Sequence, residues 1–272
     1  MANIYDVNGN QIDINGAGVA AYDEIMKSIN HRGFNTVAPE NTIPAFKMSK
    51  QKGFKYVETD VRFSKDGIAV LIHDATIDKT ARDTNGNAPS NVEVKDLTYE
   101  QLVQYDFGVW KSADYAGTKI PRFDDFITLC KNIGLRPYIE LKAGTEAQIK
   151  SLVDAVKNNG IFDKVSWISF NASWLTYVKN YASEARIGYL TDTLTMEKIT
   201  TAQGFLTGSN EVFINTSVLS AEAVRICKEA NLPMEVYTID SANQIRELNP
   251  YITGVTSNNL IAGKILYNSN IQ

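Results

Sequence analysis

The chain has 272 residues, of which 44% are hydrophobic and 21% are charged, and its formal net charge is −4. This composition is typical of a globular protein, and the length suits one large α/β domain. The acidic balance argues against sequence-independent nucleic-acid binding, and no apolar run approaches the ~20 residues of a membrane span. An anionic substrate stays compatible, because single Arg and Lys side chains can focus positive potential in a cleft.

The first 25 residues precede the regular part of the chain. Residues 4–7 and 11–14 alternate in polarity around Asn8-Gly9, and this dipeptide favours the tight turn of a small hairpin. We therefore expect an N-terminal hairpin extension, residues 1–25, and one barrel domain, residues 26–272. No basic segment is followed by an apolar run, which favours the cytoplasm, with a secreted or phage-associated protein as the alternative. The sequence does not indicate an oligomeric state.

Short β-type runs alternate with amphipathic helical runs from residue 28 onward. Strands are predicted at 28–30, 56–60, 137–141, 166–170, 187–190, 212–215, 235–239 and 254–257. Helices are predicted at 42–52, 123–132, 145–158, 172–182, 196–205, 221–230 and 242–248. Eight strands separated by single helices predict an α/β fold with a closed parallel (β/α)8 TIM barrel. An open doubly wound sheet is the alternative, but no Gly-x-Gly-x-x-Gly loop follows the first strand.

Residues 75–119 interrupt the alternation with a polar, irregular stretch that contains a short helical segment, 98–104. We expect a small insertion over the barrel mouth, where active-site loops are usually found. Before it, two β-type runs are joined across Asp-Gly at 66–67, which predicts an antiparallel hairpin with a two-residue turn. In that register Asp60 lies directly opposite His73.

Three carboxylates are predicted at the carboxyl ends of barrel strands. Glu58 and Asp60 are two residues apart and share a face, and Glu140 ends the next barrel strand. Carboxylates held this close repel unless a cation or a shared proton intervenes. An all-oxygen set favours Mg²⁺, Ca²⁺ or Mn²⁺ over zinc. The alternative is a set of solvated strand ends or structural ion pairs.

Two histidines and two cations accompany these carboxylates. His31 and Arg32 follow the first strand, His73 ends the hairpin, and Lys142 follows Glu140. Arg32 offers a planar fork to phosphate oxygens, and Lys142 offers a point charge. A single histidine is more often structural, but displacement at phosphorus needs one group to take a proton and another to give one.

Several neighbouring residues are candidates for supporting roles. Glu40 is placed to orient His31 or Arg32, and Asp74 to hold the His73 ring in one tautomer. Asn41 or the threonine after it caps the following helix.

Four aromatic residues are candidates for lining the mouth. Phe170 and Tyr237 lie at strand ends and are candidate pocket walls, as is Trp110. Trp174, on a predicted helix, is expected to belong to the core.

Together these motifs resemble the glycerophosphodiester phosphodiesterase family, over residues 27–265. The matching segments are, in order, His31-Arg32-Gly33, Pro39-Glu40-Asn41-Thr42, Glu58-Thr59-Asp60, His73-Asp74 and Glu140-Leu141-Lys142. The stretches at 73–80 and 119–123 match as well. Two positions depart from the family pattern, because Tyr237 stands where the family has Trp and Ser257-Asn258 where it has Thr-Asp.

The resemblance implies a barrel of the phosphatidylinositol-phospholipase-C type that hydrolyses glycerophosphodiesters to glycerol 3-phosphate and an alcohol. It implies one divalent cation, Ca²⁺ or Mg²⁺, held by Glu58, Asp60 and Glu140. His31 and His73 resemble the family's general acid/base pair. Arg32 and Lys142 likewise resemble the phosphate-binding residues.

Alternatives stay open, the first within the same chemistry and the others from different functional classes. The same chemistry could act on a polymeric teichoic acid or on a lysophospholipid, although the polar stretch at 75–119 argues against the lipid. A barrel kept as a non-catalytic binding module is the second alternative, and a metal-dependent sugar isomerase or aldolase the third. A small-molecule partner is expected, with no nucleic acid and no stable membrane insertion.

Overall fold

Eight parallel strands close into a barrel in the computed structural model, which describes residues 25–205 and 212–269 and four residues near the N-terminus. The strands are β1 (Ile4–Tyr5), β2 (Gln11–Ile12), β3 (Lys27–Asn30), β4 (Tyr56–Phe63), β5 (Ala69–Leu71), β6 (Arg136–Leu141), β7 (Ser166–Ser169), β8 (Arg186–Thr191), β9 (Val212–Thr216), β10 (Met234–Val236) and β11 (Ile252–Ser257). The barrel runs from β3 through β4 and from β6 to β11, and β3 pairs with both β4 and β11. The predicted (β/α)8 barrel is confirmed.

Helices cover the outside of the barrel, and one short helix, Tyr99–Leu102, lies in the segment 75–119 instead. They are α1 (Ile43–Gln51), α2 (Tyr99–Leu102), α3 (Phe123–Ile133), α4 (Glu146–Asn159), α5 (Ala172–Tyr181), α6 (Met196–Gly204), α7 (Ala221–Glu229), α8 (Ala242–Arg246) and α9 (Ala262–Ser269). The seven predicted barrel helices are all present, whereas α9 was not predicted. Over the ranges that the structure describes, none of the helices combines the length and apolar character of a membrane span.

Local sequence explains where these helices begin and end. In α4, the Thr145 hydroxyl accepts from the backbone N–H of Gln148, whose side chain accepts in return from Thr145 N, so the pair forms a capping box. The helix ends at Gly160, which adopts a left-handed conformation with φ of 70°.

The N-terminal strand pair agrees with the predicted hairpin where it is described. Ile4 pairs with Ile12 and Tyr5 with Gln11 in antiparallel register. The rest of that prediction, residues 6–10 and 13–14, lies outside the described residues. The domain boundary at residue 25 therefore stays a prediction.

The hairpin between β4 and β5 has a different register from the predicted one. Its loop contains three residues, 65–67, because Gly67 adopts a left-handed φ of 78° and adds a residue to the expected turn. Ile72 donates its backbone N–H to Asp60 O at 3.0 Å. The prediction that His73 directly opposes Asp60 was therefore wrong by one residue.

Two predicted strands were too long at their carboxyl ends, β7, which stops at Ser169 rather than at residue 170, and β10, where the difference is larger. β10 stops at Val236 rather than at residue 239. Beyond Val236 two backbone hydrogen bonds still join the chain to the neighbouring strands. Tyr237 N donates to Thr216 O at 3.2 Å, and Ile239 N donates to Thr256 O at 3.0 Å. Tyr237 consequently belongs to the loop that leaves the strand.

The predicted insertion is an ordered segment with its own small core. Five of its apolar side chains pack against three from β5 and the residues around it. The cluster comprises Val70, Ile72, Ile77, Ala81, Val94, Leu102, Phe107 and Ile120. Since β5 lies antiparallel to β4 outside the barrel, this core holds the segment beside the end of the hairpin, where His73 lies.

Alternation along the barrel strands directs polar side chains into the mouth. Inside the barrel, Tyr138 packs edge-on against Phe213 with ring centroids 6.0 Å apart. Ile139, one residue further along β6, instead belongs to the core between strands and helices. Glu140 therefore returns to the inner face, one layer nearer the carboxyl end than Tyr138.

Candidate active site

A cavity of about 240 Å³ opens at the carboxyl end of the barrel. Eight of the predicted site residues line it. They are His31, Arg32, Glu58, His73, Glu140, Lys142, Phe170 and Tyr237. Asp60 lies buried beside the same groups, and the remaining wall is formed by Ile168, Leu190, Asn215, Thr238 and Thr256.

The three predicted acidic residues form one buried cluster. One carboxylate oxygen each from Glu58, Asp60 and Glu140 lies within 4.8 Å of the others. Burial, with repulsion from Asp60 and Glu140, raises the pKa of Glu58 well above its usual value. Burial and Asp60 likewise raise the pKa of Glu140 to about 7. Burial opposes ionisation of Asp60 too, but Arg32 and Lys142 outweigh it and hold its pKa below the usual range.

This cluster fits a divalent cation. Glu58 Oε1 is buried and accepts no hydrogen bond from the described residues, so its lone pairs have no protein donor. A divalent ion would satisfy that oxygen and offset the repulsion that, together with burial, raises the two pKa values. The all-oxygen donor set suits a hard cation such as Ca²⁺, Mg²⁺ or Mn²⁺.

The loop after β3 brings Arg32 into contact with these acids. Its guanidinium Nη1 donates to Glu40 Oε1 at 3.0 Å, and its Nε lies 3.3 Å from Asp60 Oδ2. Its backbone N–H donates to Glu58 Oε2 at 2.9 Å. Gly33 permits the turn, because its φ is 77° and a Cβ there would lie 2.7 Å from Ala45 Cβ.

Two polar residues complete the charge arrangement. Lys142 Nζ lies 2.7 Å from Glu140 Oε1 and 3.5 Å from Asp60 Oδ1. Asn41 donates from Nδ2 to Asp60 Oδ2 at 2.8 Å, and its Oδ1 accepts from the Thr59 hydroxyl at 2.8 Å. The capping residue of α1 is Thr42, so Asn41 is free to hold the carboxylate.

His31 is held by residues from the end of β11. Its Nδ1 lies 2.9 Å from Asn258 Oδ1, and its Nε2 lies 4.0 Å from Glu58 Oε2. Asp240 accepts from the backbone N–H of Asn258 at 2.7 Å and from the Asn258 carboxamide as well. Burial, reinforced by Arg32, lowers the pKa of His31.

His73 has a carboxylate partner instead. Its Nδ1 lies 2.7 Å from Asp74 Oδ1, which is the contact expected from their adjacency. Its carbonyl accepts from Arg62 Nε at 2.9 Å. Burial lowers the pKa of His73, although Asp60 acts in the opposite direction.

Aromatic side chains form a further part of the cavity wall, beside Lys142, whose Nζ lies 5.9 Å from the centroid of the Phe170 ring. Phe170 and Tyr237 meet edge-on with ring centroids 6.2 Å apart. Trp110 is not among the residues that line this cavity, since its indole N–H donates to Phe107 O within the insertion. Trp174 is partly buried and packs against the main core, as expected.

Sequence reasoning missed Asn215 and Asp240, and it named Asn258 only as a departure from the family pattern, without its contact to His31. Asn215 could have been found, because it is a polar residue at the inner end of a predicted strand. Neither Asp240 nor the contact of Asn258 gives a local signal, since Asn258 lies 227 positions from His31 in the chain and Asp240 acts through its hydrogen bonds with Asn258.

Relatives and solved structures are similar to this chain over most of the barrel. The profile of the Glycerophosphoryl diester phosphodiesterase family matches residues 31–261. A glycerophosphodiester phosphodiesterase of Caldanaerobacter subterraneus subsp. tengcongensis is 36% identical over 165 residues, which cover 60% of this chain and 65% of that protein. The chain thus spans under two thirds of this relative's length.

Two solved structures share the fold. Glycerophosphodiester phosphodiesterase from Agrobacterium tumefaciens str. C58 is 25% identical, with a TM-score of 0.68, covering 87% of this chain and 99% of that one. An Oleispira antarctica phosphodiesterase, in complex with the product sn-glycerol-3-phosphate, is 24% identical, with a TM-score of 0.74 and coverage of 92% and 98%. Because the family profile covers well over half of the sequence, the chain belongs to the glycerophosphoryl diester phosphodiesterase family.

Proposed function

We propose that this protein hydrolyses glycerophosphodiesters to glycerol 3-phosphate and an alcohol, with one divalent cation bound by Glu58, Asp60 and Glu140. The observation that carries the proposal is the buried carboxylate cluster, which shares one cavity with two basic side chains, Arg32 and Lys142, and with two histidines. The 36% identity to a glycerophosphodiester phosphodiesterase supports the same reaction.

The residues around the cavity suit a phosphodiester. Arg32 and Lys142 provide positive charge next to the carboxylates, where the phosphate would be held against the bound cation. When bound, the cation would supply Lewis-acid charge neutralisation and lower the pKa of a coordinated hydroxyl. Phe170 and Tyr237 would pack against carbon atoms of the substrate.

The partners of the two histidines suggest how protons move. Asn258 Oδ1 can only accept, so we assign the His31 proton to Nδ1 and leave Nε2 free as a base. The Asp74 carboxylate favours the protonated form of His73 against the burial that lowers the pKa of this imidazole, and we assign His73 as the general acid.

In the proposed reaction, His31 removes the proton of the glycerol 2-hydroxyl as its oxygen attacks phosphorus. His73 gives its proton to the departing alcohol as the P–O bond breaks. A water molecule then opens the cyclic phosphate with the two roles exchanged, and the histidines return to their starting protonation states.

The test is release of glycerol 3-phosphate from glycerophosphocholine in a coupled assay. EDTA-stripped protein is titrated with Ca²⁺, Mg²⁺ and Mn²⁺, and we expect turnover only with added cation. Glu58→Gln serves as the matched control, because it keeps the side-chain volume but removes a charge from the cluster.

Substrate alternatives are outcomes of the same experiment. Turnover of polyglycerol phosphate or of a lysophospholipid, without turnover of glycerophosphocholine, would replace the proposed substrate. Absence of turnover with every substrate and cation would overturn the enzymatic proposal in favour of a binding module.

A further inference from the structure

Asn215 is a polar side chain that the proposed reaction does not use. It is 1% exposed, lines the cavity and has a buried Oδ1 that is unpaired with respect to the described residues. An unpaired buried carboxamide oxygen destabilises the protein unless a hydrogen-bond donor enters the cavity to meet it. The position therefore indicates a contact with a ligand.

The register of the barrel places this residue relative to the carboxylates. The rings of Tyr138 and Phe213 touch inside the barrel, and Glu140 and Asn215 lie two residues further along the same two strands. Because side chains alternate along a strand, Glu140 and Asn215 occupy the next layer, on strands across the barrel from each other. A substrate held at the carboxylates would thus extend toward Asn215.

The surroundings of Asn215 restrict what can reach it. On β8 its direct neighbour in the ladder is Leu190, a buried apolar residue that also lines the cavity. The group that arrives must therefore be small and must supply the hydrogen bond itself. A primary hydroxyl meets both conditions, since it can donate to the carboxamide oxygen and accept from its nitrogen.

We propose that Asn215 binds the terminal hydroxyl of the substrate's glycerol unit and makes the site selective for glycerol with that hydroxyl free. This inference rests on the proposed function, and it places the glycerol side of the diester inside the barrel and the alcohol toward the mouth. It disfavours lysophospholipids, whose terminal hydroxyl is esterified. It also restricts a polyglycerol phosphate to attack at a chain end, where a free primary hydroxyl remains.

The experiment compares two ligands that differ in one hydroxyl. Calorimetry measures the binding of sn-glycerol 3-phosphate and of propane-1,2-diol phosphate, which carries a methyl group in place of the terminal CH₂OH, in the presence of Ca²⁺. We expect the wild-type protein to prefer sn-glycerol 3-phosphate by roughly tenfold or more, because the analogue leaves the Asn215 oxygen unpaired.

The variants assign that preference to one side chain. Asn215→Leu is similar in volume and should bind both ligands with nearly equal affinity. Asn215→Asp keeps an acceptor oxygen, so it should retain the preference while binding both phosphates more weakly. Asn159→Leu, the same exchange at the end of α4 away from the cavity, should keep the wild-type preference.

Two results would overturn the proposal. One is equal binding of the two ligands by the wild-type protein, and the other is a preference that survives Asn215→Leu in folded protein. Because the readout is binding, a preference for sn-glycerol 3-phosphate without turnover of glycerophosphocholine would contradict the proposed reaction alone and leave the role of Asn215 supported.

Discussion

The two ends of the barrel contain similar charged groups in different proportions. At the amino end, Glu235 is fully buried, and its Oε1 accepts from Arg186 Nη2 at 2.8 Å and from the Tyr138 hydroxyl at 3.0 Å. Lys27 Nζ lies 3.5 Å from the same oxygen. One carboxylate is thus matched by two cations and a hydroxyl.

At the carboxyl end the balance is reversed. Three carboxylates share Arg32 and Lys142, and the cavity beside them is large enough for a small ligand. A buried carboxylate that is paired with basic side chains has at most a structural role. Carboxylates in excess of the basic side chains, next to an open cavity, are suited to binding an added cation. Two features therefore distinguish the functional end of the barrel from the structural end. They are the ratio of acidic to basic side chains and the presence of a cavity beside them.

The largest predicted effect is on the carboxyl end. His31→Ala and His73→Ala should each lower kcat by ~10²–10⁴-fold, because each removes a proton-transfer group. Their melting temperatures should stay close to that of the wild-type protein. Coupled kinetics with glycerophosphocholine measure the loss, and a decrease of less than about tenfold for either variant would contradict the assigned roles.

The opposite result is expected at the amino end. Arg186→Met leaves Glu235 buried without its strongest partner and should lower the free energy of unfolding by about 3 kcal/mol. The kcat of the folded fraction should not change. Urea denaturation gives the first quantity and the coupled assay the second. Arg225→Met, which removes exposed ion pairs to Glu222 and Glu229, is the matched control and should change stability little.

The pH dependence of stability should report on the carboxylates at the carboxyl end. Folding raises the pKa of Glu140 from 4.5 to about 7, so the folded metal-free protein binds more protons than the unfolded chain between these values. Stability from this group is present below pH 4.5 and is lost as pH rises to about 7, by up to about 3 kcal/mol.

A comparison of variants isolates this effect. The lowered pKa values of His31 and His73 act in the opposite direction, since they add stability as pH rises through their range. The informative quantity is therefore the difference between wild-type protein and Glu140→Gln, measured by urea denaturation across pH 4.5–7. If that difference does not vary with pH, the raised pKa of Glu140 is wrong.

The smallest effect concerns the contact that holds His31. Asn258→Ala should lower kcat by roughly tenfold, because the imidazole loses the acceptor that fixes its tautomer. Asn258→Asp keeps an acceptor at the same place and should recover most of the activity. A full loss of activity in Asn258→Asp would indicate that the neutral carboxamide is required.

Much of the site was predictable because the carboxyl ends of parallel barrel strands all lie at the same end of the barrel. Alternating strands and helices determined the barrel, and residues at the carboxyl ends of barrel strands must meet at one mouth. Glu58 and Glu140 are far apart in sequence, yet this rule alone predicted that they would be neighbours. The surplus of carboxylates over cations at the mouth therefore follows from the amino-acid sequence.

The tertiary structure alone decided the finer arrangement. The left-handed Gly67 shifted the hairpin register by one residue, because turn type depends on backbone angles that an Asp-Gly pair does not dictate by itself. The tertiary structure also decided which hydrogen-bond partner lies next to each histidine. Asp74 adjoins His73 in sequence, whereas Asn258 reaches His31 only because β11 pairs with β3 when the barrel closes. Local pattern determines elements and faces, but contacts between distant loops exist only after the strands have closed into the barrel.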